Sequence, residues 1–262
     1  MAESVQVFSS VTPDYHRAFQ CFLDHTDQKH KAKQWMEIFV GTLPQKKLFL
    51  DAGAGNGKVT AWFAGQFERT IALEPNPSLC AELRQACSDA EVHQQTILDA
   101  KIKASADFIL ASHVFYYISK EDWTANLARL ASWLSPKGSL VVMLQNAGTD
   151  CMRMLRYFFK KSFDLKGLLD DFKAEHGGQY AVTIETVPSY ITTKDFKSAY
   201  TIAEFMMNLL SMPQPPLRKD LEAYVKKNFA ADNGGYRFSC HQDFLQIRPV
   251  WQSVPATLQA TL

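Results

Sequence analysis

The sequence lacks the features that mark several large classes of protein. Its five cysteines are odd in number and include no CxxC pair, which argues against a disulfide framework and against a zinc knuckle. No apolar run approaches the roughly 20 residues of a membrane span, and the start has no charged region followed by an apolar core, as a signal peptide would. No basic stripe accompanies the formal net charge of +1, so we do not expect nucleic acid as a partner. We expect a cytoplasmic, monomeric protein without a membrane partner.

The chain does contain enough apolar material for a full core, with 47% apolar and 21% charged residues among 262. Residues 1–45 place aromatic and aliphatic side chains at helical spacing, which predicts an N-terminal helical cap. Over residues 46–147, short apolar runs alternate with amphipathic stretches. This alternation predicts strands over 48–53, 70–75, 91–95, 106–112 and 139–145 and helices over 59–67, 77–87 and 122–134.

The pattern changes after residue 147. Residues 148–235 are largely helical, with one predicted strand over 182–192, and residues 236–249 alternate as a last strand. Strands and helices in this order predict an α/β fold with a doubly wound, mostly parallel seven-stranded sheet, closed by a late antiparallel hairpin. We expect residues 1–262 to form a single domain.

Three glycines follow the first predicted strand at alternate positions, in the stretch DAGAGNGKVT. A phosphate-binding P-loop would need Ser or Thr after Lys58, where the chain has Val59. The dinucleotide fingerprint is not met either, because Gly57 comes one position too early after Gly53 and Gly55. The turn therefore predicts close approach of a ligand other than a nucleoside triphosphate or a dinucleotide.

Two carboxylates accompany these glycines. Asp51 ends the first strand, and Glu74 ends the second, where a carboxylate can accept both hydroxyls of a ribose. Pro75 and Pro77 follow Glu74 and stiffen the turn that carries it. The site is therefore predicted to bind a nucleoside that carries no diphosphate.

Taken in order, four motifs resemble those of class I S-adenosylmethionine-dependent methyltransferases: DAGAGNGKVT, LEPNP, ADFILASHVFYYI and LSPKGSLVVMLQN. The resemblance covers residues 47–146 and implies S-adenosylmethionine as cofactor. It implies contact with the methionine part by Gly53, Ala54 and Gly55, with the ribose by Glu74, with the adenine by Thr96 and Ile97, and with the sulfonium region by Ser112.

A second resemblance, to the histamine N-methyltransferase group, spans nearly the whole chain. VFSSVTPDYHRAFQCFLDHT is similar to that group's start, and HVFYYI to its tyrosine pair. The resemblance implies a helical substrate-binding region over the sheet and substrate-binding aromatic walls from Tyr15, Phe19, Phe22, Tyr116 and Tyr117.

The polar positions depart from that group. Where it has a glutamate, a glutamine and an asparagine toward its substrate, this chain has Gln28, His113 and either Cys240 or His241. Histamine itself is therefore not the expected substrate. Cys240 and His241 alternate on the last strand, so we expect only one of them to face the pocket.

Methyl transfer from a sulfonium needs alignment and exclusion of water more than a reactive side chain. We expect His113 as the catalytic polar contact, since an unperturbed histidine titrates near the pH where an amine proton could be taken up. His25 and His30 do not share a helical face, so no metal site is expected.

The resulting hypothesis is an N-methyltransferase of a small, flat or cationic metabolite, with imidazole compounds such as thiohistidine derivatives favoured. An O-methyltransferase of a natural product and a non-catalytic cofactor-binding protein stay open. A nucleic-acid methyltransferase is disfavoured, because SHVFYY stands where an Asn/Asp-Pro-Pro-aromatic element would be.

Overall fold

The computed structural model describes residues 3–8, 12–232 and 234–250, and its centre is a seven-stranded sheet. Five strands come first in the chain: β1 Leu48–Ala52, β2 Arg69–Leu73, β3 Glu91–His93, β4 Ala106–Ser112 and β5 Leu134–Gln145. Two more complete it: β6 Tyr180–Val187 and β9 Gln242–Pro249. The order β3-β2-β1-β4-β5-β9-β6, with only β9 antiparallel to its neighbours, confirms the predicted doubly wound, mostly parallel sheet.

The central strands are buried on both faces, as parallel strands are when helices cover the sheet. All five residues of β1 are buried, and Leu50 pairs with Ile71 on one side and with Ile109 on the other. Successive apolar side chains of β1, β4 and β5 alternate between the two main hydrophobic clusters. This burial explains why the strands read as short continuous apolar runs.

Nine α-helices are present in the part of the chain that the structure describes. They are α1 Pro13–His25, α2 Gln28–Gly41, α3 Thr60–Phe63, α4 Pro77–Ala86, α5 Trp123–Ala131, α6 Asp150–Phe159, α7 Leu165–His176, α8 Phe196–Met207 and α9 Arg218–Asn228. Among the described residues, none of these helices has the length and apolarity that crossing a membrane requires.

Local chemistry explains where these helices begin. The Thr12 side chain accepts a hydrogen bond from the backbone N–H of Tyr15, and proline occupies the first position of α1. Asn76 caps α4 in the same way, by accepting from the N–H groups of Ser78 and Leu79. The helix predicted over 59–67 is shorter, because after α3 the chain tightens into a 3₁₀ turn over 64–66.

Two of the predicted strands were wrong as single elements. The run 182–192 divides into β6 and β7 (Tyr190–Thr193), and the run 236–249 divides into β8 (Tyr236–Ser239) and β9. Strands β7 and β8 pair in a separate two-stranded sheet. Both chain segments leave the main sheet at one point, where the backbone N–H of Cys240 donates to the Ser189 carbonyl at 2.9 Å. Pro188, which has no N–H, precedes this crossing and cannot continue the ladder.

Candidate active site

The predicted cofactor residues gather at the carboxyl edge of the sheet, where open α/β sheets bind ligands. The glycine turn follows β1, Glu74 follows β2, and His113 follows β4. The antiparallel β9 begins at this edge, so Gln242 lies opposite Gln145, the last residue of β5. Helix α1 packs on α8, and its Phe19 ring centroid lies 5.9 Å from Nζ of Lys58, the residue after the glycine turn.

The glycine turn needs its glycines for two different reasons. Gly53, Gly55 and Gly57 all have positive φ, of 75°, 57° and 82°. A Cβ on Gly53 would lie 2.3 Å from a methyl group of Val114, so this position tolerates no side chain. At Gly55, by contrast, no heavy atom lies within 4 Å of the place a Cβ would take. Backbone that bends left-handed beside open space can be approached closely by a ligand.

Glu74 is buried and holds the turn together. Its carboxylate accepts from the backbone N–H of Gly55 at 2.9 Å and from that of Asn76 at 2.9 Å. Among the described residues no lysine, arginine or histidine pairs with it within 4 Å. A carboxylate offers about four acceptor positions. Two of them therefore stay available for ribose hydroxyls.

Asp51 lies beneath the turn and is 1% exposed. It accepts a hydrogen bond from the Thr60 hydroxyl at 2.6 Å. The pKa of Asp51 is raised to about 7, chiefly by burial; the Thr60 hydrogen bond opposes the rise and the charge of Glu74 adds to it. The group supports the turn from inside the protein, so any direct contact with the cofactor stays a prediction.

The other predicted cofactor residues lie on the same edge. Ile97 is buried, whereas Pro75 and Thr96 are exposed, and the Thr96 hydroxyl donates to Asp99 at 2.6 Å. Ser112 ends β4 opposite Met143. Their contacts with adenine and sulfonium remain predictions.

His113 stands in an unusual backbone conformation, with φ of 59°. Non-glycine residues in this left-handed region are uncommon and store strain that often marks a functional site. Its backbone N–H donates to the Met143 carbonyl at 2.9 Å, and its ring stacks on that of Tyr116 with centroids 5.7 Å apart.

The imidazole of His113 is neutral at pH 7. Burial, helped by the positive charge of Lys29, lowers its pKa to about 4, well below the ordinary value that the sequence suggested. The Gln242 side chain donates to its Nε2 at 3.0 Å, so the ring proton lies on Nδ1. His113 can therefore offer an N–H from Nδ1, but it is a weak base.

Two glutamines beside His113 were missed by sequence reasoning. Gln242 is 2% exposed and contacts His113, whereas Gln145 is 3% exposed and its Oε1 has no hydrogen-bond partner among the described residues. Gln145 ends an apolar run, which was a usable signal. Gln242 could not be chosen over Cys240 or His241 without knowing where β9 begins.

The aromatic residues take different positions. Tyr15, Phe19 and Phe22 form a row along α1, each with its ring centroid 5.6 Å from that of Phe205 on α8. Phe22 is buried in the core, whereas the other two are half-buried.

The two tyrosines after β4 also differ. Tyr116 is buried, and its hydroxyl accepts from the Gln145 backbone N–H at 2.7 Å. Tyr117 is 77% exposed, and partial burial of its hydroxyl with the nearby Tyr15 and Glu74 groups raises its pKa. Tyr117 thus lies near Glu74, a predicted cofactor residue.

The three polar residues predicted near the substrate, Gln28, Cys240 and His241, make hydrogen bonds within the protein. Gln28 Nε2 donates to the Cys240 carbonyl at 2.7 Å, and the buried Cys240 Sγ lies 3.6 Å from the hydroxyls of Thr26 and Ser189. The Nδ1 atom of His241 lies 2.8 Å from the Ser189 carbonyl. Contact of these three residues with a substrate stays a prediction, and the residue of this region that reaches His113 is Gln242.

A mostly parallel sheet with a glycine turn after its first strand and a buried carboxylate with free acceptor positions after its second is typical of nucleoside-binding α/β proteins. Residues 22–205, more than half of the chain, match the model of the methyltransferase domain family. The chain belongs to this methyltransferase family, and its cofactor is S-adenosylmethionine. The open side of Gly55 and the free acceptor positions of Glu74 fit that cofactor.

Solved structures share the fold. The YcgJ protein of Bacillus subtilis is 14% identical, with 86% of this chain and 100% of that chain covered and a TM-score of 0.60. A protein assigned as a methyltransferase (BH2331) from Bacillus halodurans C-125 is 12% identical, with 80% and 96% covered and a TM-score of 0.58. A protein assigned as a sarcosine dimethylglycine methyltransferase from Galdieria sulphuraria is 15% identical, with 83% and 84% covered and a TM-score of 0.54. No curated protein matches the chain.

Proposed function

We propose that the protein transfers a methyl group to a nitrogen of a small metabolite, and that imidazole-bearing compounds such as histidine or thiohistidine derivatives are the favoured acceptors. The observation that carries this proposal is a group of three polar residues at the edge of the sheet that also carries the glycine turn. Gln242 contacts His113, and Gln145 pairs with Gln242 across β5 and β9. An acceptor ring that reaches the buried, unpaired Oε1 of Gln145 can donate one N–H to it, while the other ring nitrogen keeps its lone pair for attack. An imidazole has both.

S-adenosylmethionine, when bound, supplies a methyl group on a positively charged sulfur. The remaining task of the chain is to align the acceptor and exclude water, which can contribute roughly 7–11 kcal/mol of the barrier reduction. The neutral His113 supports this assignment, because its Nδ1–H can donate to a polar group of the acceptor other than the nitrogen that is methylated. We therefore assign His113 to binding and orienting the acceptor rather than to taking up its proton.

The aromatic row of α1 supports an acceptor with a flat ring. Tyr15 and Phe19 are half-buried and lie on this helix. An aromatic face can also stabilise a cationic methylated product by about 0.5–2 kcal/mol. This arrangement is consistent with the resemblance to the histamine N-methyltransferase group.

An O-methyltransferase is the second candidate. A phenol must lose its proton, and a base with a pKa of about 4 whose Nε2 is already occupied serves that step poorly. A protein that binds the cofactor without turnover is the third candidate.

The test is calorimetric titration with S-adenosylhomocysteine, followed by a methyl-transfer screen of imidazoles, amines and phenols with product detection by mass spectrometry. We expect micromolar binding and transfer to a ring nitrogen or an amine. Transfer to phenols alone would contradict nitrogen methylation. Binding without any transfer would favour the non-catalytic protein, and absence of binding would contradict the whole proposal.

A further inference from the structure

Two lysine ammonium groups meet over one aromatic ring. Lys29 Nζ lies 4.6 Å from the ring centroid of Phe19, and Lys58 Nζ lies 5.9 Å from the same centroid. Lys29 is the second residue of α2, and Lys58 follows the last glycine of the turn. One charge from the N-terminal helical cap and one from the residue after the glycine turn thus lie near the same ring.

Neither charge is neutralised by the protein. Within the ranges that the structure describes, neither Nζ has a carboxylate within 4 Å, and neither donates a hydrogen bond to a protein acceptor. The next lysine of α2 is paired, since Lys31 Nζ lies 2.7 Å from Asp27 and 2.9 Å from the Pro188 carbonyl. Lys29 and Lys58 therefore bring two unneutralised charges to the same ring.

The surroundings make this pair of like charges unfavourable. Both lysines are exposed residues, but desolvation of the Lys29 ammonium and the charge of Lys58 lower the pKa of Lys29, and the charge of Lys29 contributes to the low pKa of His113. The face of Phe19 offsets only a part of this repulsion. An anion bound between the two ammonium groups would relieve it.

We propose that Lys29 and Lys58 form a subsite for a carboxylate, and that this carboxylate belongs to the methyl acceptor. The inference rests on the proposed function, which places the nitrogen of the acceptor beside His113. The substrate class is then a small organic acid with a methylatable nitrogen, rather than a neutral or purely cationic amine. The same chemistry could be offered by the carboxylate of the cofactor's methionine part, so the experiment separates the two sources.

The experiment uses the full chain saturated with S-adenosylhomocysteine. Calorimetry measures the affinity for three matched pairs that differ in a carboxylate: imidazoleacetic acid with methylimidazole, beta-alanine with ethylamine, and hydroxyphenylacetic acid with cresol. We expect at least one acid to bind about tenfold more tightly than its partner. Lys29→Gln and Lys58→Gln should each remove most of this preference, and Lys31→Gln, on the same helix, should retain it.

Three results would overturn the inference. These are equal affinity of acid and partner in every pair, no binding of any acid, or a preference that survives in both Lys29→Gln and Lys58→Gln. Weaker binding of S-adenosylhomocysteine in these variants, with the preference for acids unchanged, would assign the carboxylate to the cofactor and overturn its assignment to the acceptor. Because cofactor affinity and acid preference are read without turnover, failure of methyl transfer would contradict the proposed function alone.

Discussion

Replacing Gln145 by leucine should make the protein more stable and its acceptor site weaker. The side chain is 3% exposed, and its Oε1 atom has no hydrogen-bond partner in the part of the chain that the structure describes. A buried unpaired polar group costs about 1–3 kcal/mol, and leucine has a similar volume without that group. The backbone N–H of Gln145, which donates to Tyr116, is untouched by the substitution. We therefore expect the free energy of unfolding to rise by about 1–2 kcal/mol.

The acceptor should bind less tightly in the same variant. Loss of one neutral hydrogen bond, with a net value of about 0.5–1.5 kcal/mol, corresponds to a KM roughly 3–10 times higher. The affinity for S-adenosylhomocysteine should stay unchanged, because Glu74 and the glycine turn are unaltered.

Urea unfolding of the cofactor-free protein gives the stability, and steady-state kinetics with the acceptor found in the screen gives KM. Gln246→Leu is the matched control, because it makes the same change at a glutamine away from the site. Gln246 lies on β9, opposite Val141 of β5, and is only partly buried. Its effects should stay within about 0.5 kcal/mol. A less stable Gln145→Leu protein with an unchanged KM would show that the amide has a structural role and would refute the reasoning.

Three further outcomes follow from the site. Glu74→Gln removes the carboxylate that would hold the ribose, so calorimetry should show S-adenosylhomocysteine bound roughly 10–100 times more weakly, and equal loss in the exposed control Glu91→Gln would contradict this role. Asp51 has its folded-state pKa raised to about 7, so its contribution to stability is complete below its unfolded pKa of about 4 and is lost as the pH rises through 7. Urea unfolding should therefore show a smaller loss of stability between pH 5 and 8 in Asp51→Asn than in the parent, and equal losses would contradict it. Because the pKa of His113 is about 4, no inflection of kcat/KM near 6.5 should depend on this residue, and an inflection there that vanishes in His113→Asn would contradict the assignment.

The sequence by itself determined the sheet and half of the site. Apolar runs of four to seven residues between amphipathic stretches are typical of strands buried on both faces, and they predicted the core strands within a few residues. The glycine turn and Glu74 each follow a strand directly in the chain. Their positions at the carboxyl edge therefore depend only on local order, which a sequence carries.

The tertiary structure decided everything that depends on distant segments meeting. A shift of one or two residues in where β9 begins brings Gln242 to His113 and leaves Cys240 and His241 at the crossing beside Ser189. The low pKa of His113 arises from burial and from Lys29, which is far from it in the chain. Hydrogen bonding, desolvation and like-charge repulsion act through space at a few ångströms, so only the folded chain shows which side chains experience them.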